Sequence, residues 1–139
     1  MYLGRILPRR SRSVAIQVIE KEVGLQIEVE SRPAELPPLP AAVEVAAYRI
    51  ALEALTNVVR HAHAQHCAIR LWLESSERNT FLRVEVSDDG AGLPRSLRAG
   101  VGLRSMRERA EELGGTLTIE PAQGGGTCVL ARLPLDGEA

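Results

Sequence analysis

Residues 43–62 read VEVAAYRIALEALTNVVRHA, and the rest of the chain is organised around them. The stretch contains neither Gly nor Pro and is rich in Ala and Leu, so its composition predicts a helix. At ~100° per residue, Arg49, Glu53, Thr56, Asn57, Arg60 and His61 share an arc of roughly 140°. Val43, Val45, Ala47, Ala51, Leu52, Ala54, Leu55, Val58 and Val59 fill most of the remainder. The pattern predicts a helix buried on most sides with one polar stripe. Two readings of the stripe stand side by side. It is either a solvated face with Arg49–Glu53 as an ordinary i,i+4 pair, or a set of polar groups held for use, because burying them unpaired costs ~1–3 kcal/mol each.

The elements on either side follow from shorter patterns. Residues 14–22 predict a short helix stopped by Gly24. Leu25, Ile27 and Val29 alternate with Gln26, Glu28 and Glu30, as in a half-buried strand. Four prolines make residues 32–40 a loop. After the organising helix, Ile69, Leu71 and Leu73 alternate with Arg70, Trp72 and Glu74. Leu82, Val84 and Val86 then alternate in residues 81–87, and the polar turn between the two runs predicts an antiparallel hairpin. A glycine-rich loop, residues 88–103, leads into a helix with Leu103, Met106, Ala110 and Leu113 as its apolar stripe and Gly114–Gly115 as its stop. Residues 116–120 and 127–133 form a second hairpin. The order α-β-α-β-β-α-β-β predicts an α/β two-layer sandwich: a mixed, mostly antiparallel sheet with helices on one face.

Composition narrows the function classes. A length of 139 residues suits one domain with a real core. The formal net charge of −1 gives no whole-molecule attraction to nucleic acid or to anionic membrane. No apolar run reaches the ~20 residues of a membrane span, and no apolar leader is evident at the N-terminus. Cys67 and Cys128 lack metal-ligand spacing and read as small strand residues in a reducing compartment, with a disulfide the lesser alternative.

The loop carries the strongest chemical signal. Gly90 and Gly92 follow a strand, and Gly100 and Gly102 precede a helix. Glycine lets backbone N–H groups approach a ligand closely, and the helix N-terminus favours a phosphate. Asp88 stands where a buried strand opens into this loop, and an ionised carboxylate there accepts hydrogen bonds from an exocyclic amine. The plain alternative is that the glycines only make turns. A dinucleotide-binding reading fails in detail, because Arg95 and Ser105 stand where a third glycine is needed and no βαβαβ unit surrounds the region.

Four segments together resemble the GHKL ATPase superfamily. Residues 53–62 (EALTNVVRHA) resemble its N box, DDGAG at 88–92 its first glycine box, GVGL at 100–103 its second, and GGGT at 124–127 its closing Gly-Thr element. The wording, especially GLRSMRERAEELGG at 102–115, is most similar to bacterial two-component sensor histidine kinases whose response regulators carry helix-turn-helix domains. The resemblance spans residues 14–135, leaving 1–13 as a linker or the remnant of a preceding element and 136–139 as a tail. It implies a protein-histidine kinase catalytic domain. Asp88 would accept from the adenine amine of ATP with Thr127 in support, and Asn57 would ligate Mg²⁺. Arg60 and His61 would lie near the phosphates, and Gly90, Gly92, Gly100, Gly102 and Leu103 would shape the pocket. Glu53, with Asn57, would be catalytic: Glu53 matches the residue that activates water in the superfamily's ATPases, although the acceptor in these kinases is a histidine. Arg95 and Arg98, in the short lid between the glycine pairs, either reach phosphate or face water.

The helical hairpin carrying the phospho-accepting histidine is not found in the sequence, and His61, His63 and His66 do not replace it. The implied partners are the dimerisation domain of the same kinase and a response regulator, with no nucleic acid and no direct membrane contact. The implied location is the cytoplasm, either free or as the cytoplasmic part of a membrane-anchored sensor. By itself the chain is expected to be inactive in autophosphorylation. An anti-sigma-factor-type serine kinase and a non-catalytic nucleotide-binding module share this fold and are the alternatives.

Overall fold

The structure is a computed structural model and describes residues 14–91 and 101–136. The first helix, α1 (Val14–Val23), ends where Gly24 takes a φ of +77° and donates its N–H to the Glu20 carbonyl at 3.1 Å. Glycine adopts that left-handed geometry without a Cβ penalty. The Glu20 carboxylate also accepts the Ile27 N–H at 3.0 Å, which ties α1 to β1 (Gln26–Arg32). β1 pairs in parallel with β2 (His66–Ser75), from Gln26 opposite His66 to Arg32 opposite Trp72. Parallel neighbours need a long crossover, and α2 (Ala41–Asn57) is the helix of that crossover.

Hairpin β2–β3 (Thr80–Asp88), helix α3 (Val101–Glu112) and hairpin β4 (Thr116–Pro121)–β5 (Thr127–Pro134) complete the order 1-2-3-5-4. Among the described residues only the β1–β2 pairing is parallel, so the sheet is mixed and mostly antiparallel, as expected. The end of α3 is a Schellman turn: Gly115 N–H donates to the Ala110 carbonyl and Gly114 N–H to that of Glu111, both at 2.9 Å.

The core lies between the helices and one sheet face. Val43, Ala46, Ala47, Ile50, Ala51, Ala54 and Leu55 form the buried stripe of α2, and their i, i+3, i+4, i+7 spacing is that of one helix face. They meet Ile69, Leu71, Leu82, Val84, Val86, Val129, Ala131 and Leu133 of the sheet and Leu103, Met106 and Ala110 of α3. Fully burying such a side chain contributes about 1.5–3 kcal/mol.

One expectation for α2 is corrected. The helix is one-sided: Leu52, placed with the apolar majority, is 41% exposed, because it lies off the stripe that faces the sheet. Glu44, absent from the polar stripe, is buried. The helix also changes character at its end, where Val58–Ala62 is a π-helical segment closed by His63 at a left-handed φ of 51°.

The opposite sheet face is polar. Arg70 pairs with Glu85 (3.0 Å), Arg83 with Glu85 (3.2 Å) and Glu74 (3.3 Å), and Arg132 with Glu74 (3.3 Å). Arg32 and Arg83 stack over Trp72. Register puts Cys67 on the covered face and Cys128 on the polar one, so the two cannot bridge. Burial and the charges of Asp88 and Asp89 push the Cys67 thiol up to about 12, and burial with Glu85 and Glu120 pushes Cys128 to about 11. Both are small strand residues with inert thiols, as the sequence suggests. Among the described residues no helix is long and apolar enough to cross a membrane.

Candidate functional site

Leu82, Val84 and Val86 occupy the inward positions of β3, and period-two alternation makes Asp88 the next residue of that row. The carboxylate therefore ends a buried strand on the helix-covered face and is only 7% exposed. Its Oδ1 accepts the Gly90 N–H at 2.8 Å, and a backbone hydrogen bond from Thr127 adds to it. Burial raises the Asp88 pKa and the negative charge of Asp89 adds to the rise, while the Gly90 and Thr127 N–H groups oppose it.

β5 comes this close because Gly126 has no side chain. A Cβ there would lie 2.0 Å from the Asp88 carbonyl oxygen and 2.9 Å from its Oδ1, and Gly126 holds a φ of +88°. Thr127 follows, buried beside Asp88. Asn57 sits at the last α-helical residue of α2, before the π-helical segment. Asn57, Asp88 and Thr127 line one depression with Ala54, Val58, Val86 and Val129. Three polar groups on an apolar floor suit a flat ring that carries a donor at its edge. The described residues enclose only ≈ 10 Å³ there, so they form a floor rather than a whole pocket.

The other candidates are distributed around this floor. Glu53 opens onto a separate hollow of ≈ 320 Å³ between α2 and α3, with Tyr48, Arg49, Leu52, Thr56, Ser105, Met106 and Arg109. Arg60 is exposed on the π-helical segment. His61 lies in the same segment and Gly102 in the first turn of α3, and their surroundings fall outside the described residues. So do Gly92, Gly100, Arg95 and Arg98. Leu103 is a core residue, 2% exposed, and does not line the depression. Another hollow, ≈ 480 Å³, opens at the same end of the sheet and is lined by Glu28, Glu85, Asp89 and Glu120 with His66 and Arg70, a set dominated by carboxylates and unsuited to a polyphosphate.

Residues that sequence reasoning did not assign to the site include its walls. Val86 stands two before Asp88 and Val129 two after Thr127, so strand alternation alone would have found them. Gly126 was visible as part of a glycine run, but the contact that requires it depends on register. Asp89 is exposed yet fully engaged. Its Oδ1 accepts the N–H groups of Gln65 and His66, both at 2.9 Å, and its Oδ2 lies 2.7 Å from His66 Nδ1. His66 is thus an exposed residue with a defined partner.

Comparisons with known proteins bear on the family and the fold. Residues 42–137 match the family described as histidine kinase-, DNA gyrase B-, and HSP90-like ATPase. The sensor histidine kinase YxjM of Bacillus subtilis is 38% identical over 120 residues, 86% of this chain and 28% of that protein. The signal transduction histidine-protein kinase/phosphatase UhpB of Salmonella typhimurium is 35% identical over 141 residues, 95% of this chain and 27% of that protein. The chain thus spans about a quarter of the length of these curated relatives. Among solved structures, the blue-light activated histidine kinase of Erythrobacter litoralis EL346 superposes with a TM-score of 0.72 at 27% identity, covering 99% of this chain and 42% of that one. Its isolated histidine kinase domain gives 0.67 at 25% identity, over 88% and 57%. With the family match extending over most of its length, the chain belongs to the histidine kinase-, DNA gyrase B-, and HSP90-like ATPase family.

Proposed function

We propose that this chain is the ATP-binding catalytic domain of a sensor histidine kinase, and that it directs the γ-phosphoryl group of ATP to a histidine on a dimerisation domain for relay to a response regulator. The observation that carries the reading is the buried Asp88 carboxylate, set beside Thr127 and Asn57 on an apolar floor. An ionised carboxylate only accepts hydrogen bonds. Adenine offers an amine donor where guanine offers a carbonyl, so Asp88 favours ATP and disfavours GTP. Val86, Val129, Ala54 and Val58 supply the apolar surface for the ring.

Mg²⁺ fits the donor set as a metal that arrives with the nucleotide. Among the described residues no three His, Cys, Asp or Glu side chains converge on one point, and Mg²⁺ is commonly held by phosphate oxygens, water and one or two protein oxygens. The Asn57 amide oxygen would supply one of these. Bound Mg²⁺ would neutralise charge on the phosphates. Arg60 and His61 would add positive or donor groups at that end, and Glu53 would act on the acceptor side. The domain's contribution would be positioning and charge neutralisation. The two relatives named above are a sensor histidine kinase and a signal transduction histidine-protein kinase/phosphatase, which favours this reading over a serine kinase or a silent nucleotide module.

Titration of ATP and GTP, with and without Mg²⁺, tests the reading. The wild-type chain is expected to prefer ATP. A hydrogen bond to a charged group contributes ~1.5–3 kcal/mol, so Asp88→Asn should weaken ATP binding by roughly 10- to 150-fold and narrow the gap to GTP. Asn57→Ala should remove the Mg²⁺ dependence while keeping the base preference. Equal binding of ATP and GTP by the wild type, or Asp88→Asn with unchanged preference, would overturn the assignment of Asp88.

A further inference from the structure

Asp89 and His66 make a connection that the proposed roles do not use. The β2–β3 ladder runs to Cys67 opposite Asp88, and beyond that pair the strands would ordinarily part. Here they are held one residue further. Asp89 N–H donates to the His66 carbonyl at 3.2 Å. The Asp89 carboxylate receives the Gln65 and His66 N–H groups on one oxygen and meets His66 Nδ1 at 2.7 Å with the other. The carboxylate is acceptor-only, so Nδ1 carries the proton in this contact. Both Asp89 carboxylate oxygens and its N–H are therefore engaged, forming a clip at the mouth of the hairpin.

The clip has a direct consequence for Asp88. Gly90 N–H donates to Asp88 Oδ1 at 2.8 Å, and Gly90 is the residue that follows Asp89. The path of the chain through Asp89 sets where the Gly90 N–H lies, and so sets the orientation of the Asp88 carboxylate. On the other side, the Gly126 backbone abuts Asp88 so tightly that a Cβ would not fit. Asp88 is thus fixed from β5 by Gly126 and Thr127, and from β2 by way of Asp89.

We propose that His66 and Asp89 are positioning residues for base recognition: their hydrogen-bonded pair at the open end of the β2–β3 hairpin aims the Asp88 carboxylate at the adenine amine. The inference rests on the assignment of Asp88 to the base. Neither His66 nor Asp89 touches the nucleotide, and His66 acts only through Asp89.

The test is the ratio of ATP to GTP affinity in the intact chain, measured for wild type, Asp88→Asn, His66→Ala and His66→Asn, with thermal melting recorded for each. Losing the side-chain contact should let the Asp88 carboxylate swing, weakening ATP binding by roughly 3- to 10-fold with GTP binding unchanged. Asn places an amide donor close to the position of Nδ1, so His66→Asn should restore the wild-type ratio. A purely structural role would lower the melting temperature of His66→Ala and leave the ratio untouched, and that result would overturn the proposal. So would a failure of His66→Asn to recover the ratio. If wild type and Asp88→Asn bind ATP and GTP alike, the base assignment falls and this proposal with it. If Asp88→Asn loses selectivity while His66→Ala keeps it, only the positioning role falls.

Discussion

Asp88 and Asp89 are neighbours with opposite electrostatics. Asp89 is exposed, and the backbone N–H and imidazole of His66, with the Gln65 N–H, hold its carboxyl down from 3.8 to about 2. A depressed carboxyl contributes stability that is fully present above its unfolded pKa and lost as pH falls through the folded value. The difference in melting temperature between wild type and Asp89→Asn should therefore be constant above about pH 5 and shrink towards pH 2. A difference independent of pH would mean that the clip does not depend on the charge. Asp88 runs the other way. Burial raises its pKa, so its ionised form opposes folding once pH exceeds the raised value. Asp88→Asn is expected to melt higher than wild type at neutral pH while binding ATP less well, the trade expected of a functional carboxylate. Gly126 and Gly124 separate conformation from contact. Both hold positive φ, +88° and +87°, but only Gly126 abuts Asp88, while a Cβ on Gly124 meets nothing. Gly124→Ala should cost about 1–3 kcal/mol from its backbone alone, and Gly126→Ala clearly more, as read by urea unfolding. Asp88 and Asn57 were placed in the sequence by the period of a strand and of a helix, whereas Thr127 entered only through the resemblance of its Gly-Thr motif. The clip and the Gly126 contact were not legible there, because both depend on which residues of different strands stand opposite one another.

At the scale of the element, α2 carries the clearest lesson. Its existence and its inward stripe were readable from spacing. The width of the stripe was not, because Leu52 is apolar by type and its 41% exposure follows from how the helix is rotated against the sheet. Ile50 is fully buried. Ile50→Ala should cost about 2–5 kcal/mol and Leu52→Ala less than about 1 kcal/mol, as read by denaturant unfolding. Similar losses at the two positions would contradict the one-sided placement. The π-helical segment Val58–Ala62 also escaped the sequence, since an i→i+5 bond differs from i→i+4 by one residue and leaves little trace in five residues of pattern. Such segments recur at functional sites, and this one holds Arg60 and His61.

Across the whole molecule, element order and strand alternation carried the two-layer architecture, and four short motifs in order carried the family. The sheet order was less legible: β5 lies between β3 and β4, a choice made by long-range pairing that no local pattern encodes. The same topology brings the end of β3, the start of β5 and the end of α2 together at one end of the sheet, and that convergence puts Asp88, Thr127 and Asn57 on one floor. The central claim is that this floor serves phosphoryl transfer to a histidine on another domain. The most direct measurement incubates the chain with γ-labelled ATP and Mg²⁺, alone and with a supplied histidine-bearing dimerisation domain. The account predicts no label on this chain and acid-labile label on the supplied domain. Acid-labile self-labelling of the isolated chain, or no transfer to any supplied domain despite ATP binding, would contradict it.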